Sequence, residues 1–402
     1  VIFKYIGMFF LTAAMQKHGL DRRLALSVLT MPCVSQSPAR VFAGQADLTA
    51  ALGMWMNPLS TTAVMLPIAL GVIGTSPAIG GSAAARQALV LLIAFSASVG
   101  GISTPVGTAP NIITVAHLQQ LTGERVSTVR WMLLAAPLVT ALLIYLVWKL
   151  RPRVTGSAQD NAALAEDFAA QRRDLGRLKF GEIATAIALG SAIFLWLAPG
   201  VGELTGYRAG IFGKGNVSDE MVGLCAGLIL FAAPTHLRRG EFVLNWRDGA
   251  KIDWGTVMLA AGGLSLGALI FSTGLAKTMG VALSDLLQTT DLAVLIAVGV
   301  VLSVALSEIA SNTAAANVTV PLMIAVAHGA GVDPVPVALA CAFGCTFGFM
   351  LPVSSGPNTL AYATGEVRVR GMMRHGIALD LIGIVAIWLT IRFLTPLIDI
   401  AP

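Results

Sequence analysis

The sequence predicts an all-α polytopic membrane protein, built as two inverted-topology repeats with re-entrant helical hairpins and broken helices. Three observations lead there. The chain is 56% hydrophobic and 12% charged, against roughly 25% charged in an ordinary soluble domain, so lipid must solvate most of its surface. Polar breaks rich in Gly and Pro interrupt its apolar runs, which packed membrane helices tolerate. Blocks of sequence recur in the same order, the mark of an internal repeat.

The apolar stretches, in order, are 2–16, 47–73, 87–117, 131–150, 181–199, 219–234, 255–273, 290–329, 335–364 and 375–397. A crossing takes about 20 residues. The interrupted stretches 47–73, 87–117, 290–329 and 335–364 therefore hold re-entrant hairpins as well as spans. The chain is apolar from Val1, with no basic segment and cleavage site ahead of it, so no signal peptide is read there.

Charge gives the orientation. Segment 149–180 carries Lys149, Arg151, Arg153, Arg172, Arg173, Arg177 and Lys179 against Asp160, Glu166, Asp167 and Asp174, and is expected in the cytoplasm. Within it, 160–177 reads either as an interfacial amphipathic helix or as a solvated linker. Loop 200–218 holds Arg208 and Lys214 and is expected outside. Loop 235–254 holds Arg238, Arg239, Arg247 and Lys251 and is expected inside. The net charge of +5 lies in such loops and is no nucleic-acid signature. Cys33, Cys225, Cys341 and Cys345 sit in or beside apolar runs without metal-type spacing, and read as packing residues.

The repeat is explicit. MWMNPLSTTAVMLPIA (54–69) runs beside EIASNTAAANVTVPLM (308–323) without a gap, and TPVGTAPN (104–111) beside LPVSSGPN (351–358). Upstream, YIGMFFLTAAMQKHGLDRRLA matches AGGLSLGALIFSTGLAKTMG. The first of these blocks ends at Lys17, Arg22 and Arg23, so inside. Its counterpart follows a basic loop and ends near Lys277, so outside. Opposed copies of this kind are typical of alternating-access carriers. The division is 1–150 for the first repeat, 151–180 for a basic cytoplasmic linker and 181–402 for the second. Spans 181–199 and 219–234 have no counterparts before residue 1, so at least two further N-terminal helices are expected.

Each repeat carries two polar breaks: Asn57-Pro58-Leu59-Ser60-Thr61-Thr62 and Gly107-Thr108-Ala109-Pro110-Asn111 in the first, Ser307 to Thr313 and Ser354-Ser355-Gly356-Pro357-Asn358 in the second. Broken helices present free N–H groups and positive dipole ends to an anion, and unwound carbonyls to a cation. Glu308 is an acidic residue within a span, a functional candidate by default. An intramembrane enzyme is excluded: the five histidines are unclustered, and neither HExxH nor GxSxG occurs. An anion channel needs a continuous pore, which paired Pro breaks fit less well than alternating access.

Ser311-Asn312-Thr313 followed by Pro321, FMLPVSSGPN (349–358), SASVGGISTPVGTAPN (96–111) and GLDRRLAL (19–26) resemble the divalent anion:sodium symporter family, carriers of dicarboxylates, citrate or sulfate. The resemblance spans nearly the whole chain. It implies a multi-pass protein of a bacterial inner membrane that carries a small anion such as succinate, coupled to sodium, with no other cofactor. It also implies a homodimer whose transport domains move as elevators. By that resemblance Ser311, Asn312 and Thr313 hold a substrate carboxylate, and Ser311 and Asn312 one sodium ion, completed by Ser307 and Ser354. Ser355, Gly356 and Pro357 line the substrate. In the first half Gly107 serves a cation, and Asn57, Thr108, Ala109 and Pro110 the substrate.

The sequence departs from the family at one place. Asn57-Pro58-Leu59 stands where a second Ser-Asn-Thr is expected, and Gly53 where Ser307 stands in the other copy. The expectation is altered coupling, with fewer sodium ions or sodium-independent anion exchange. Sulfate and citrate remain alternative substrates.

Overall fold

A computed structural model describes residues 2–35, 37–151, 157–205, 218–236, 240–275, 278, 281–282 and 291–398. Arg153, Arg208, Lys214, Arg238, Arg239 and Lys277 lie outside these. Among the described residues, eight helices are long and apolar enough to cross a membrane. Four of them pair around the interruptions predicted from sequence or stand beside them, and their burial separates inner from outer helices. Ala83–Gly101 is 78% buried, whereas Trp254–Ser272 is 22% buried and shows its apolar side chains outward, as a lipid-facing helix does.

Stretch 47–73 resolves into a hairpin of Pro38–Gly53 and Pro58–Thr75. It starts earlier than its hydropathy suggested. Ser37 caps the first helix by accepting from Arg40 N at 3.3 Å, and Pro38 occupies the first turn, where a missing N–H costs nothing. The polar residues that hid this helix, Gln45 and Thr49, are buried, in a helix that packs on Ala83–Gly101. Stretch 290–329 likewise becomes a hairpin of Leu292–Ile309 and Asn312–Ala330. Stretches 87–117 and 335–364 become broken helices, Ala83–Gly101 with Ala109–Leu121, and Pro334–Cys345 with Gly356–Ala363. Thr128–Leu150 and Val369–Ile398 follow the two breaks.

Among the described residues, one element lies outside the all-helical expectation. The helix Asp219–Ala232 stops before Pro234, and the chain forms a two-stranded antiparallel ribbon of Pro234–His236 with Glu241–Phe242.

The repeats carry matching backbone devices. Gly19 and Gly274 both end a helical block in the left-handed region, at φ 73° and 76°. Thr122-Gly123-Glu124 and Thr364-Gly365-Glu366 make the same turn, with left-handed glycines at 79° and 78°. In each, the threonine hydroxyl accepts from the glutamate N–H, at 3.2 and 3.3 Å. Pro67 and Pro321 lie inside corresponding hairpin helices.

Ile2–His18 packs closely on Asp219–Ala232, because a Cβ on Gly7 would overlap the Gly223 backbone. Lys4, an oddity in an apolar helix, is explained there: its Nζ lies 2.9 Å from Asp219 Oδ2 and over the Trp196 ring. The linker segment 160–177, open between two readings, is helical over Ala158–Asp174, with a capping box between Ser157 and Asp160. This linker helix touches both the short helix Leu20–Leu29 and the hairpin helix Pro58–Thr75. Arg172 Nη1 donates to Thr30 Oγ1 at 3.0 Å. Nearby, Arg23 Nε lies 2.6 Å from Glu182 Oε1. Asp21 is buried on Leu20–Leu29, and burial pushes its carboxyl up to about 6, against an opposing hydrogen bond from Arg22 N.

Candidate functional site

Four helices begin at the breaks: Pro58–Thr75, Ala109–Leu121, Asn312–Ala330 and Gly356–Ala363. Three have proline in the first turn, at Pro58, Pro110 and Pro357, which fixes φ for helix entry without losing a needed donor. The starts converge. A Cβ on Gly356 would meet the Leu59 side chain at 3.0 Å, and one on Gly101 would meet Thr108 Cγ2 at 2.5 Å and Pro58 Cγ at 3.3 Å. No lysine or arginine lies in these breaks, so helix N-termini, each equivalent to roughly half a positive charge, supply the local field for an anion.

One residue holds each broken helix in shape. Asn111 Nδ2 donates to the carbonyls ten and seven residues back, Gly101 O at 3.1 Å and Thr104 O at 2.8 Å. Asn358 Nδ2 does the same at the same separations, to Gly348 O at 2.9 Å and Leu351 O at 3.0 Å. Each break is also tied to its hairpin tip. Thr104 Oγ1 donates to Met54 O at 2.6 Å, and Ser354 Oγ lies 3.0 Å from Glu308 O. Met54 and Glu308 are repeat equivalents.

The second tip is rich in oxygen and short of protons. Ser307 Oγ has Asn312 Oδ1 and Cys345 O both at 2.8 Å, with one hydroxyl proton to give. Ser354 Oγ lies 2.8 Å from Glu308 Oε2 as well as beside Glu308 O. Asn312 Nδ2 reaches Thr346 O at 3.4 Å. All these groups crowd Gly348: a Cβ there would stand 3.1 Å from Ser307 Oγ, 3.2 Å from Asn312 Oδ1 and 3.2 Å from Ser354 Cβ. A surplus of oxygens suits a hard cation. Ser307, Asn312 and Ser354 are thus together. Ser311 stands at the rim and caps Asn312–Ala330 by accepting from Ala314 N at 3.2 Å; Thr313 is half-buried in its first turn.

The first tip has the same frame and different contents. Gly53, in the place of Ser307, has no room for a side chain, since a Cβ would lie 2.7 Å from Ala97 O. Gly107, in the place of Ser354, is pressed against the Gly101 backbone. Pro58 puts carbon beside Gly101 where Asn312 puts oxygen beside Gly348. Asn57 accepts from Leu59 N at 2.9 Å and so acts as the helix cap. Thr61 and Thr62 are buried with hydroxyls that have no protein partner, at positions held by Ala315 and Ala316 in the other copy.

Two further hydroxyls matter. Thr108 and Ser355 are repeat equivalents, both buried at the start of the post-break helices, and neither hydroxyl has a protein partner. Buried polar groups that the protein leaves unpaired call for an explanation, and water, an ion or a ligand can supply one. Ala109, Gly356, Pro110 and Pro357 form the helix starts beside them. Cys341 and Cys345 are buried free thiols; Cys345 Sγ lies 3.1 Å from Thr319 Oγ1.

Sequence reasoning passed over Asp380. It sits in stretch 375–397, which reads as a plain span, yet it is buried next to Glu308. The signal was available, since a carboxylate inside an apolar run is uncommon without a role. Thr104 was also missed as a strap between break and hairpin.

Comparisons with known proteins bear on the fold and the family. The chain is 29% identical over 409 residues to the "Sodium-dependent dicarboxylate transporter SdcS" of Staphylococcus saprophyticus, covering 98% of this chain and 76% of that one. It is 26% identical over 413 residues to the protein of that name from Staphylococcus aureus, covering 99% and 77%. The crystal structure of the Alcanivorax borkumensis YdaH transporter superposes with a TM-score of 0.63 at 15% identity, over 100% of this chain and 86% of that one, a likeness of fold. A model of the sodium:sulfate symporter transmembrane region matches residues 2–398. The chain is a multi-pass integral membrane transporter and not an enzyme, and it belongs to the sodium:sulfate symporter family.

Proposed function

We propose that the protein carries a small dicarboxylate of the succinate class across the membrane, coupled to sodium, with one cation site built from side chains rather than two. The observation that carries this is the convergence of four helix N-termini, with the unpartnered Thr108 and Ser355 hydroxyls, next to the oxygen cluster of Ser307, Asn312 and Ser354. The naming of the staphylococcal relatives as sodium-dependent dicarboxylate transporters supports the substrate class.

In this reading Ser311, Asn312 and Thr313 take one carboxylate, and Ser355, Gly356 and Pro357 the rest of the substrate. Thr108, Ala109, Pro110 and Asn57 close it from the first half. Ser307, Ser311, Asn312 and Ser354 hold sodium, which screens the substrate's charge and fixes the second tip. Gly107 offers only its carbonyl to a first-half cation. Residues 1–150 and 181–402 are the repeats, joined by 151–180. The two hairpins and two broken helices move as one body against Ile2–His18, Phe180–Thr205, Asp219–Ala232 and Trp254–Ser272, in a homodimer.

The test is uptake of labelled succinate into proteoliposomes of the full-length protein, with and without a sodium gradient and with succinate inside. Sodium-driven accumulation is expected, with sodium activation that shows little cooperativity. Uptake that needs internal anion and ignores sodium would make the protein an exchanger. Absence of succinate transport, with transport of sulfate or citrate, would overturn the substrate class.

A further inference from the structure

Asp380 lies near the middle of Val369–Ile398, a helix apolar enough to span the membrane. The residue is 4% exposed, and neither carboxyl oxygen has a hydrogen-bond partner of proper geometry. Its position is tightly set. One turn before it, a Cβ on Gly376 would run into the backbone of Phe349 and Met350, and one turn after it Gly383 lies against the Phe347 ring. These contacts hold Asp380 alongside Glu308 and the Phe349 backbone. Glu308 is already supplied with donors: Oε1 accepts from Met350 N at 2.9 Å, and Oε2 lies 2.8 Å from Ser354 Oγ. Two carboxyls thus stand side by side inside the membrane; both well-formed hydrogen bonds go to Glu308, and Asp380 has only the Phe349 backbone beside it.

Other charges do not make up the deficit. Val369–Ile398 packs against Leu292–Ile309, Pro334–Cys345 and Thr128–Leu150. The first brings Glu308, the second the thiols Cys341 and Cys345, and the third Arg130, Tyr145 and Lys149. Its own helix carries Arg370, Arg374, His375 and Arg392. None of these cations hydrogen-bonds to Asp380. A carboxylate without a counter-charge and without a well-formed hydrogen bond is poorly tolerated in lipid. A proton resolves both deficits, because it removes the charge and turns the group into a donor that Glu308 can accept from.

We propose that Asp380 is a proton-carrying residue, which holds a proton as an O–H directed at Glu308 and exchanges it with water during the transport cycle. The O–H bond of the carboxyl breaks to water on one side of the membrane and re-forms from water on the other. Glu308 remains the acceptor. Because Glu308 is bonded to Ser354 and Met350, the proton site is linked to the second break. A proton thereby supplies a coupling charge that the first tip lacks side chains to bind.

The proposal rests on the transport reading for its flux, and its test separates the two. Infrared spectra of the purified full-length protein at neutral pH are expected to show the C=O stretch of a protonated carboxyl. That band should be lost in Asp380→Asn, with the amide bands unchanged, and shifted in Asp380→Glu. A band that survives in Asp380→Asn, or is missing from the wild type, overturns the proposal whatever the substrate. In proteoliposomes with equal sodium on both sides and a pH dye inside, external succinate should acidify the lumen. Acidification per succinate taken up should fall in Asp380→Asn and persist in Asp380→Glu. An unchanged ratio in Asp380→Asn sinks the coupling role. If no variant moves succinate, the transport reading has failed, and the infrared band still decides Asp380.

Discussion

The two hairpin tips share a backbone and differ in chemistry. In both, a capping residue opens the second helix, a proline lies deeper in it, and a Thr or Ser hydroxyl of the adjoining break lies against the tip's repeat-equivalent carbonyl. At the second tip Ser307, Asn312 and Ser354 gather oxygens around Gly348. At the first, Gly53, Pro58 and Gly107 occupy the same places, and carbon and backbone fill the space. What survives in both copies is the frame. What differs is the capacity to bind a cation with side chains. The two repeats therefore share a frame while the oxygens it carries differ.

The comparison is broken most directly at Asn312. Asn312→Ala removes a proposed ligand oxygen and should raise the sodium concentration for half-maximal uptake on the order of 10–100-fold, while Pro58→Ala leaves that value unchanged. Equal shifts in the two variants would mean the tips are chemically equivalent.

A second asymmetry lies upstream, where Asp21 stands opposite Ala276 in the repeat. Its carboxyl is raised from 3.8 to about 6 by burial. A carboxyl raised in this way stabilises the fold fully below pH 3.8, and that contribution is lost as pH rises through 6. About two pH units correspond to roughly 3 kcal/mol. Asp21→Asn should therefore raise the unfolding temperature at pH 7 and have little effect at pH 4, read by thermal unfolding at both values. A gain that is independent of pH would rule out this cause.

Gly53→Ser copies Ser307 onto the first tip and so tests whether the frame accepts a ligand there. The Cβ would press on Ala97 O, so overpacking should cost on the order of 1–3 kcal/mol and lower the unfolding temperature, with no new sodium response. Ser307→Ala should leave the unfolding temperature nearly unchanged and weaken sodium activation. The smallest effect belongs to Arg173→Ala. Arg173 and Glu166 form an ion pair on the linker helix with both side chains about 70% exposed, and its loss should change stability by less than about 0.5 kcal/mol.

Much of this was legible in the sequence because it is written in apolar periodicity and repetition. The four breaks, the repeat pairing and the loss at Asn57 to Leu59 all follow from aligning one half with the other. The start of the first hairpin was not legible, since Gln45 and Thr49 look like loop residues until a neighbouring helix buries them. The ribbon at Pro234–His236 was too short to show a pattern. Asp380 was visible as a carboxylate in an apolar run, but its partner was not: Glu308 lies 72 residues away in sequence (380 − 308) and beside it in space. Nor could the sequence tell whether Pro58 merely displaces Asn312's oxygen or fills its place with carbon; Gly101 settles that.

The asparagine braces have a consequence for how such a protein can change. Asn111 and Asn358 hold their breaks through main-chain carbonyls alone, at Gly101 and Thr104 in one copy and Gly348 and Leu351 in the other. A carbonyl is present whatever side chain its residue carries, so Thr104 and Leu351 are free to differ. The curvature of each break is inherited through one amide, and the residues lining it can be exchanged one at a time. New cargo specificity is then reachable by single substitutions that leave the architecture standing.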